Sequence, residues 1–360
     1  MYAHLKKYGL DSRFELEASL HEGLFIARIT EQHRDTYKLM CEQGELSASI
    51  SGRLNYQSAD QLDYPAVGDF VLIDRQDAQS GNAVIHGILS RKSVFTRKAA
   101  GAAHDEQIIA ANVDTLFICM SLNADFNLRR LERYLAIAWD SRATPVIVLT
   151  KSDLCDDLEH KMDEVSSVAL GVDVVVCSSE DNDGLTELEP YIRPGETIAF
   201  IGSSGVGKST LINKLAGEDI LATSAIREFD GRGRHTTTHR QLVLLPDGGI
   251  VIDTPGLREL SLFSADLAKT FEDIEELAGQ CRYNDCSHGT EPGCAVRQAI
   301  EQGSLSKDRF ENYEKLQREL SYSGLNSREL ENEKINRMFG SKAEMKQTMK
   351  HFKEKNKRRY

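Results

Sequence analysis

The clearest chemistry in the chain lies in eight consecutive residues. Gly202, Ser203, Ser204, Gly205, Val206, Gly207, Lys208 and Ser209 match G-x-x-x-x-G-K-[ST] without a mismatch. The glycines let backbone N–H groups turn inward and form a nest for an anion. Lys208 is expected to reach the β- and γ-phosphates of a nucleotide, and Ser209 to place its hydroxyl on Mg²⁺. A strand-like ETIAFI precedes the motif and a helix-like STLINKLAG follows it, the context that a phosphate loop needs. That helix opens near Ser209 and Thr210, so its positive end adds to the field at the phosphates.

The apolar run Ile250–Ile252, downstream of Ser209, ends in Asp253, Thr254, Pro255 and Gly256. A strand ending in Asp suits a second hold on Mg²⁺. Gly256 fits the D-x-x-G pattern, whose glycine N–H senses a γ-phosphate. Between the motifs lies Gly231–Thr238 (GRGRHTTT), rich in glycine, base and hydroxyl. Such a segment suits a switch loop, with one of Thr236, Thr237 and Thr238 completing the Mg²⁺ shell. Leu257 stands where Ras-like enzymes carry the glutamine that orients water. Leucine cannot do that, so His235 is the candidate for positioning water, against RNA contact or plain solvation. Lys208, Ser209, Asp253, Gly256 and His235 thus form the expected catalytic set.

The base is read elsewhere. Thr150, Lys151, Ser152 and Asp153 follow the apolar run Pro145–Leu149. The segment resembles the guanine motif N-K-x-D, in which Asp153 would accept from N1–H and the 2-amino group. Adenine lacks both donors, and a polar pair lost in a desolvated site discriminates strongly. Lys151 would lay its aliphatic stem along the base. Thr150 replaces the usual Asn, which leaves open one contact near guanine N7 and one tie to the phosphate loop. A helix N-cap at Ser152 or Asp153 is the competing reading. Cys177, Ser178 and Ser179 follow another apolar run, where a backbone N–H can meet guanine O6.

Cys281, Cys286, His288 and Cys294 crowd into a short polar stretch. Three thiolates and an imidazole complete a tetrahedral Zn²⁺ site with no open position, structural rather than catalytic. Free thiols beside a surface histidine are the alternative. Cys119 and Cys177 lie in apolar runs and read as buried small hydrophobes.

These groups need a scaffold. Five short strand-like runs punctuated by turns fill the first hundred residues and suit an OB-type barrel, or an SH3-like one. Residues 89–103 read as a basic linker or clamp. From about residue 105, apolar strands alternate with helices, the pattern of a mostly parallel sheet covered on both faces. From about residue 271 the chain is helical and polar, with an exposed, charge-paired helix expected over Arg309–Asn332. The expected units are residues 1–104, 105–270 and 271–360: an α/β protein with an OB-like barrel, a P-loop domain and a helical metal-binding module.

The chain has 360 residues, 40% hydrophobic and 28% charged, which suits two or three globular domains. No apolar run approaches the roughly 20 residues that span a bilayer, and the start lacks a leader's apolar stretch. A cytoplasmic protein without membrane contact is expected. Net charge is -12, yet Lys334–Tyr360 holds ten Lys/Arg against two Glu. A basic tail on an acidic body suits docking on nucleic acid. Arg91–Lys98, Arg232 and Arg234 are further basic candidates, and Lys342, Lys346 and Lys350 recur at helical spacing in the tail.

In chain order the motifs run TKSD, CSS, GSSGVGKS, GRGRHTTT, DTPG, so the base motifs precede the phosphate motif. Ordinary GTPases have the reverse order. With a barrel before and C-x4-C-x-H-x5-C after, nearly the whole chain resembles the bacterial ribosome small-subunit-dependent GTPases of the RsgA type, a circularly permuted family. The resemblance implies slow hydrolysis of GTP to GDP and phosphate, stimulated by the small (30S) ribosomal subunit late in its maturation. It implies GTP with Mg²⁺, one structural Zn²⁺ per chain, the subunit and its rRNA as partners, and release of another assembly factor. A monomer is expected. A GTP-regulated rRNA-binding scaffold with negligible turnover, and an ATPase or kinase on the same P-loop, are the alternatives.

Overall fold

The computed structural model describes residues 2–33, 36–58, 60–78, 81–98, 106–181, 183–220, 240–253, 267–322, 329, 332, 333, 335 and 339–357. Two short helices, α1 (Ala3–Lys7) and α2 (Ser12–Ala18), come first. Leu5 and Phe14 from them share a buried cluster with Phe70 of the barrel, each worth about 1.5–3 kcal/mol of burial.

The barrel strands are β1 (Phe25–Gln32), β2 (Tyr37–Cys41), β3 (Gly44–Ile50), β4 (Phe70–Ile73) and β5 (Ala83–Ile88). Their order is β1-β2-β3-β5-β4, and β4 returns to β1. β3 and β5 pair in parallel, the other neighbours antiparallel. Helix α3 (Gly52–Gln57) follows β3, capped by the Ser51 hydroxyl, which accepts from the Leu54 N–H. This is the OB arrangement rather than the SH3-like one.

The stretch expected as a linker instead contributes β6 (Val94–Lys98), which pairs with β7 (Glu106–Ala111). Arg91 is not a free basic group. It grips buried Asp69 with two N–H bonds of 2.8 and 2.7 Å.

The second half of the sheet comprises β8 (Thr115–Ser121), β9 (Thr144–Thr150), β10 (Asp173–Val176), β11 (Thr197–Ile201), β12 (Arg240–Leu244) and β13 (Ile250–Asp253). Their order is β10-β9-β8-β11-β13-β12. The first five run parallel and β12 antiparallel. All seven residues of β8 are buried, as a central parallel strand requires. Helices α4 (Leu128–Ser141), α5 (Leu158–Ser166) and α6 (Lys208–Ala216) accompany these strands. β12 also pairs with β1 through Gln241–Glu31 and Arg240–Gln32, so barrel and P-loop sheet form one row of eleven strands.

Arg28 fastens this junction. Fully buried on β1, it donates to the carbonyls of Tyr8 (2.6 Å), Gly68 (3.2 Å) and Asn112 (3.3 Å) and to Thr197 Oγ1 (3.0 Å). Burial pulls its pKa down to about 10, while Asp114 and Asp69 pull the other way. It therefore stays charged at neutral pH.

Helices α7 (Glu272–Ala278), α8 (Ala295–Gln302), α9 (Lys307–Ser321) and α10 (Lys342–Lys357) follow among the described residues. The helix read from sequence as an exposed one beginning at Arg309 is α9, and it buries Arg309, Phe310, Asn312, Tyr313 and Leu316. Its outer face keeps exposed charge pairs such as Lys307–Glu311, whereas Arg309 is buried and paired. Arg309 reaches Asp273 (2.8 and 2.7 Å) and Glu132 of α4 (2.7 Å), and Asn312 donates to the same Glu132 at 2.6 Å. Arg133 of α4 meets Glu319 through two bonds of 2.6 Å. Among the described residues, no helix is long and apolar enough to cross a membrane.

Candidate nucleotide site and metal knuckle

The chemistry-bearing loops all leave the same ends of parallel strands. Thr150–Asp153 follows β9, Cys177–Ser179 follows β10, the glycine-rich loop follows β11, and Asp253 ends β13 next to it. Ligands of open α/β sheets gather at these carboxyl ends.

The phosphate loop owes its shape to backbone that only glycine tolerates. At Gly202 (φ +150°) a Cβ would lie 2.4 Å from the Cys119 carbonyl of β8, so a side chain there would break the seating of the loop. Gly207 (φ +100°) makes the left-handed entry into α6. Val206 is buried and anchors the loop, whereas Ser204 and Gly205 form its exposed tip. Ser209 and Thr210 lie in the first turn of α6. Lys208 is nearly buried, with its ammonium bonded to the Gly202 and Ser203 carbonyls at 2.6 Å each. Its charge is thus held over the loop that would receive a phosphate chain.

The base loops are tied to each other and to the phosphate loop. The Thr150 hydroxyl donates to the Val206 carbonyl at 2.6 Å, so the link that Asn would make is retained by the shorter side chain. Ser152 N–H donates to the Cys177 carbonyl at 3.3 Å. The Ser178 hydroxyl, fully buried, donates to Asp153 Oδ1 at 2.7 Å. Asp153 itself is exposed, and its carboxylate is aimed by this bond. Neither Ser152 nor Asp153 caps a helix, because the short 3-10 turn Ser152–Leu154 begins at Lys151 (φ 59°) without a side-chain cap. Sequence reading missed Arg130, whose guanidinium donates to the Ser203 hydroxyl from α4. A lone arginine 73 residues away in a helix gives no sequence sign of that contact.

Gly231–Thr238 with His235, Arg232 and Arg234, and Thr254–Leu257 with Gly256, lie outside the described residues. Cys119 and Cys177 behave as hydrophobes. Burial raises their thiols to about 12 and about 11. A cavity of about 400 Å³ opens on the barrel between α3 and β5, lined in part by Leu54, Leu62, Ile88 and Arg91. No nucleotide-loop residue lines it, so chemistry rather than concavity locates the site.

The four Cys/His ligands do converge. Sγ of Cys281, Cys286 and Cys294 and one ring nitrogen of His288 lie within 4.8 Å of one another. Cys281 Sγ is 3.9 Å from Cys294 Sγ, and His288 Nδ1 is 3.6 and 3.5 Å from these two sulfurs. A tetrahedron with zinc bond lengths of about 2.3 Å to sulfur and 2.0 Å to nitrogen has edges of roughly 3.5–3.8 Å. The donor set fits such an ion. Cys294 also sits at the N-terminus of α8, where its Sγ accepts from Arg297 N–H at 3.4 Å. His288 stacks edge-on against Phe310 of α9, with 5.9 Å between centroids, so the knuckle rests on the helix that docks on α4.

Comparison with known proteins resolves the family. The family model described as RsgA GTPase matches residues 88–263. A model of ABC transporters matches residues 185–360 and overlaps the first where the phosphate loop lies. The small ribosomal subunit biogenesis GTPase RsgA 2 of Lactiplantibacillus plantarum is 54% identical over 352 residues, spanning 98% of this chain and 99% of its own. The chain belongs to the RsgA GTPase family. RsgA 1 of Listeria innocua is 47% identical over 320 residues, spanning 88% of this chain and 90% of its own. Among solved structures, YjeQ from Thermotoga maritima superposes with TM-score 0.61 at 27% identity, covering 84% of this chain and all of that one. YloQ, described as a circularly permuted GTPase, gives 0.59 at 26%, covering 84% and 96%. As an RsgA-family protein the chain is a GTP hydrolase with permuted motif order.

Proposed function

We propose that this GTPase acts in biogenesis of the small ribosomal subunit, in the cytoplasm and late in maturation. Its intrinsic turnover is slow, the subunit accelerates it, and nucleotide state controls subunit binding and release of an assembly factor. The units are residues 1–104, 105–270 and 271–360. The observation that carries the reading is the Asp153 carboxylate, exposed yet aimed by Ser178, in a loop bonded through Thr150 to the phosphate loop. A guanine-selective pocket needs that combination. Lys208 and the loop N–H groups hold the β- and γ-phosphates, with Ser209 and Asp253 as the residues to hold Mg²⁺, which neutralises charge developing on the phosphates. The absence of a water-orienting side chain at Leu257 supports slow hydrolysis until a partner orders the site, with His235 as the residue to place water. Cys281, Cys286, His288 and Cys294 hold one Zn²⁺. The exposed Lys342, Lys346 and Lys350 of α10 supply a charge-driven contact to rRNA.

The test is steady-state GTP turnover with and without purified small subunits. We expect at least roughly tenfold stimulation, the scale on which ordering a catalytic group acts. Turnover that stays negligible with subunits present would leave a GTP-regulated scaffold instead.

A further inference from the structure

Arg130 lies in the first turn of α4, and its guanidinium works in two directions. One nitrogen donates both to Asp125 Oδ2, at 2.9 Å, and to the hydroxyl oxygen of Ser203. Lys208 grips Ser203 from the other side, through its carbonyl at 2.6 Å. Two cations therefore fix residue 203, one by side chain and one by backbone. The exposed tip, Ser204 and Gly205, hangs from that fixed point, and its N–H groups belong to the nest that faces a phosphate chain. α4 is itself immobilised. Its Glu132 is fully buried and bonded to Arg309 and Asn312 of α9.

We propose that Arg130 is a positioning residue for hydrolysis, holding the phosphate loop through Ser203 in the shape that stabilises the transferring phosphoryl group. The inference rests on the phosphate-loop reading given above. Ground-state affinity comes largely from Lys208 and the base loop. Loosening residue 203 should leave those contacts but misalign donors that matter most in the transition state. Arg130 therefore governs kcat more than KM.

The experiment measures kcat and KM for Arg130→Gln, Ser203→Ala, their double variant, Arg130→Lys and Arg133→Gln. Arg130→Gln and Ser203→Ala should each lower kcat about tenfold with KM changed less than about twofold, since misplaced donors act on the barrier. The double variant should fall no further than Arg130→Gln, because both cut one interaction. Arg130→Lys should recover part of the rate, and Arg133→Gln, which breaks only the Glu319 pair on the same helix, should leave kcat unchanged. Unaltered kcat in Arg130→Gln, multiplied losses in the double variant, or an equal loss in Arg133→Gln would overturn the proposal. Lys208→Ala separates the two readings. If it retains turnover, the phosphate-loop assignment fails; if it is inactive while Arg130→Gln is normal, only this inference fails.

Discussion

The phosphate loop and the metal knuckle solve the same problem, holding a compact polar site, by opposite means. The loop is made of backbone. Its glycine conformations are seated on Cys119, its carbonyls are held by Lys208, and Val206 is bonded to Thr150. Strands buried on both faces supply the rigidity, and side-chain bonds from Lys208, Thr150 and Arg130 hold the loop against them. The knuckle is made of side chains on short polar segments, where Cys286 and His288 are only half-buried. Cys281 and Cys286 pack only at the margin of the hydrophobic core that holds Cys294, so a bound ion would add its own folding free energy to that packing. A site on a sheet is pre-formed, whereas a site between turns is conditional on its ligand.

Removing the metal breaks the comparison most severely. Stripping it with a chelator, or Cys281→Ser with Cys294→Ser, should unfold the region around Cys281–Cys294. Structural zinc contributes on the order of 10 kcal/mol in isolated zinc-finger peptides at neutral pH. Elemental analysis should find one zinc per chain before treatment, and hydrogen exchange should rise there and not in β8–β11. GDP affinity that fell in parallel would mean that the two regions are not independent. Next comes the phosphate loop. Lys208→Ala or Ser209→Ala should reduce GTP hydrolysis by at least about a hundredfold, near 2.7 kcal/mol, with thermal stability unchanged. Coincident loss of fold would show that the loop is as conditional as the knuckle.

Asp153→Asn should weaken GDP binding by roughly tenfold or more and erode preference for guanine over adenine, as expected when a paired carboxylate is lost. Competition titrations read both quantities, and unchanged selectivity would remove Asp153 from the base site. Ser178→Ala is the smallest step. It deletes one hydrogen bond to that carboxylate, about 1 kcal/mol, and should lower GDP affinity about fivefold and erode base preference by a similar factor, because adenine makes no use of the carboxylate.

The sequence made some of this legible and hid the rest for physical reasons. The five barrel strands and the parallel strands stand out because alternation and apolar runs are local properties. The phosphate loop and the four metal ligands stand out because their chemistry demands fixed spacing. The OB order emerged only from the β3–β5 pairing, which a strand count does not contain. Arg309 looked solvated because pairing partners in α4 and α7 are remote in sequence. Arg91 looked like a basic surface for the same reason. The Thr150 bond to Val206 spans 56 residues, and nothing in TKSD announces it.

One consequence of the eleven-strand row concerns where another chain could join it. An open sheet has two margins of unpaired N–H and C=O groups, each a template for a further strand. Here β12 would have been one margin, but β1 pairs with its first two residues, and β4 closes back on β1 at the far end. Among the described residues the strand left open along its whole length is β10, only four residues long and leading into Cys177–Ser179. A partner that adds a strand to β10 would therefore dock beside the guanine loop, where its arrival would be felt by the base.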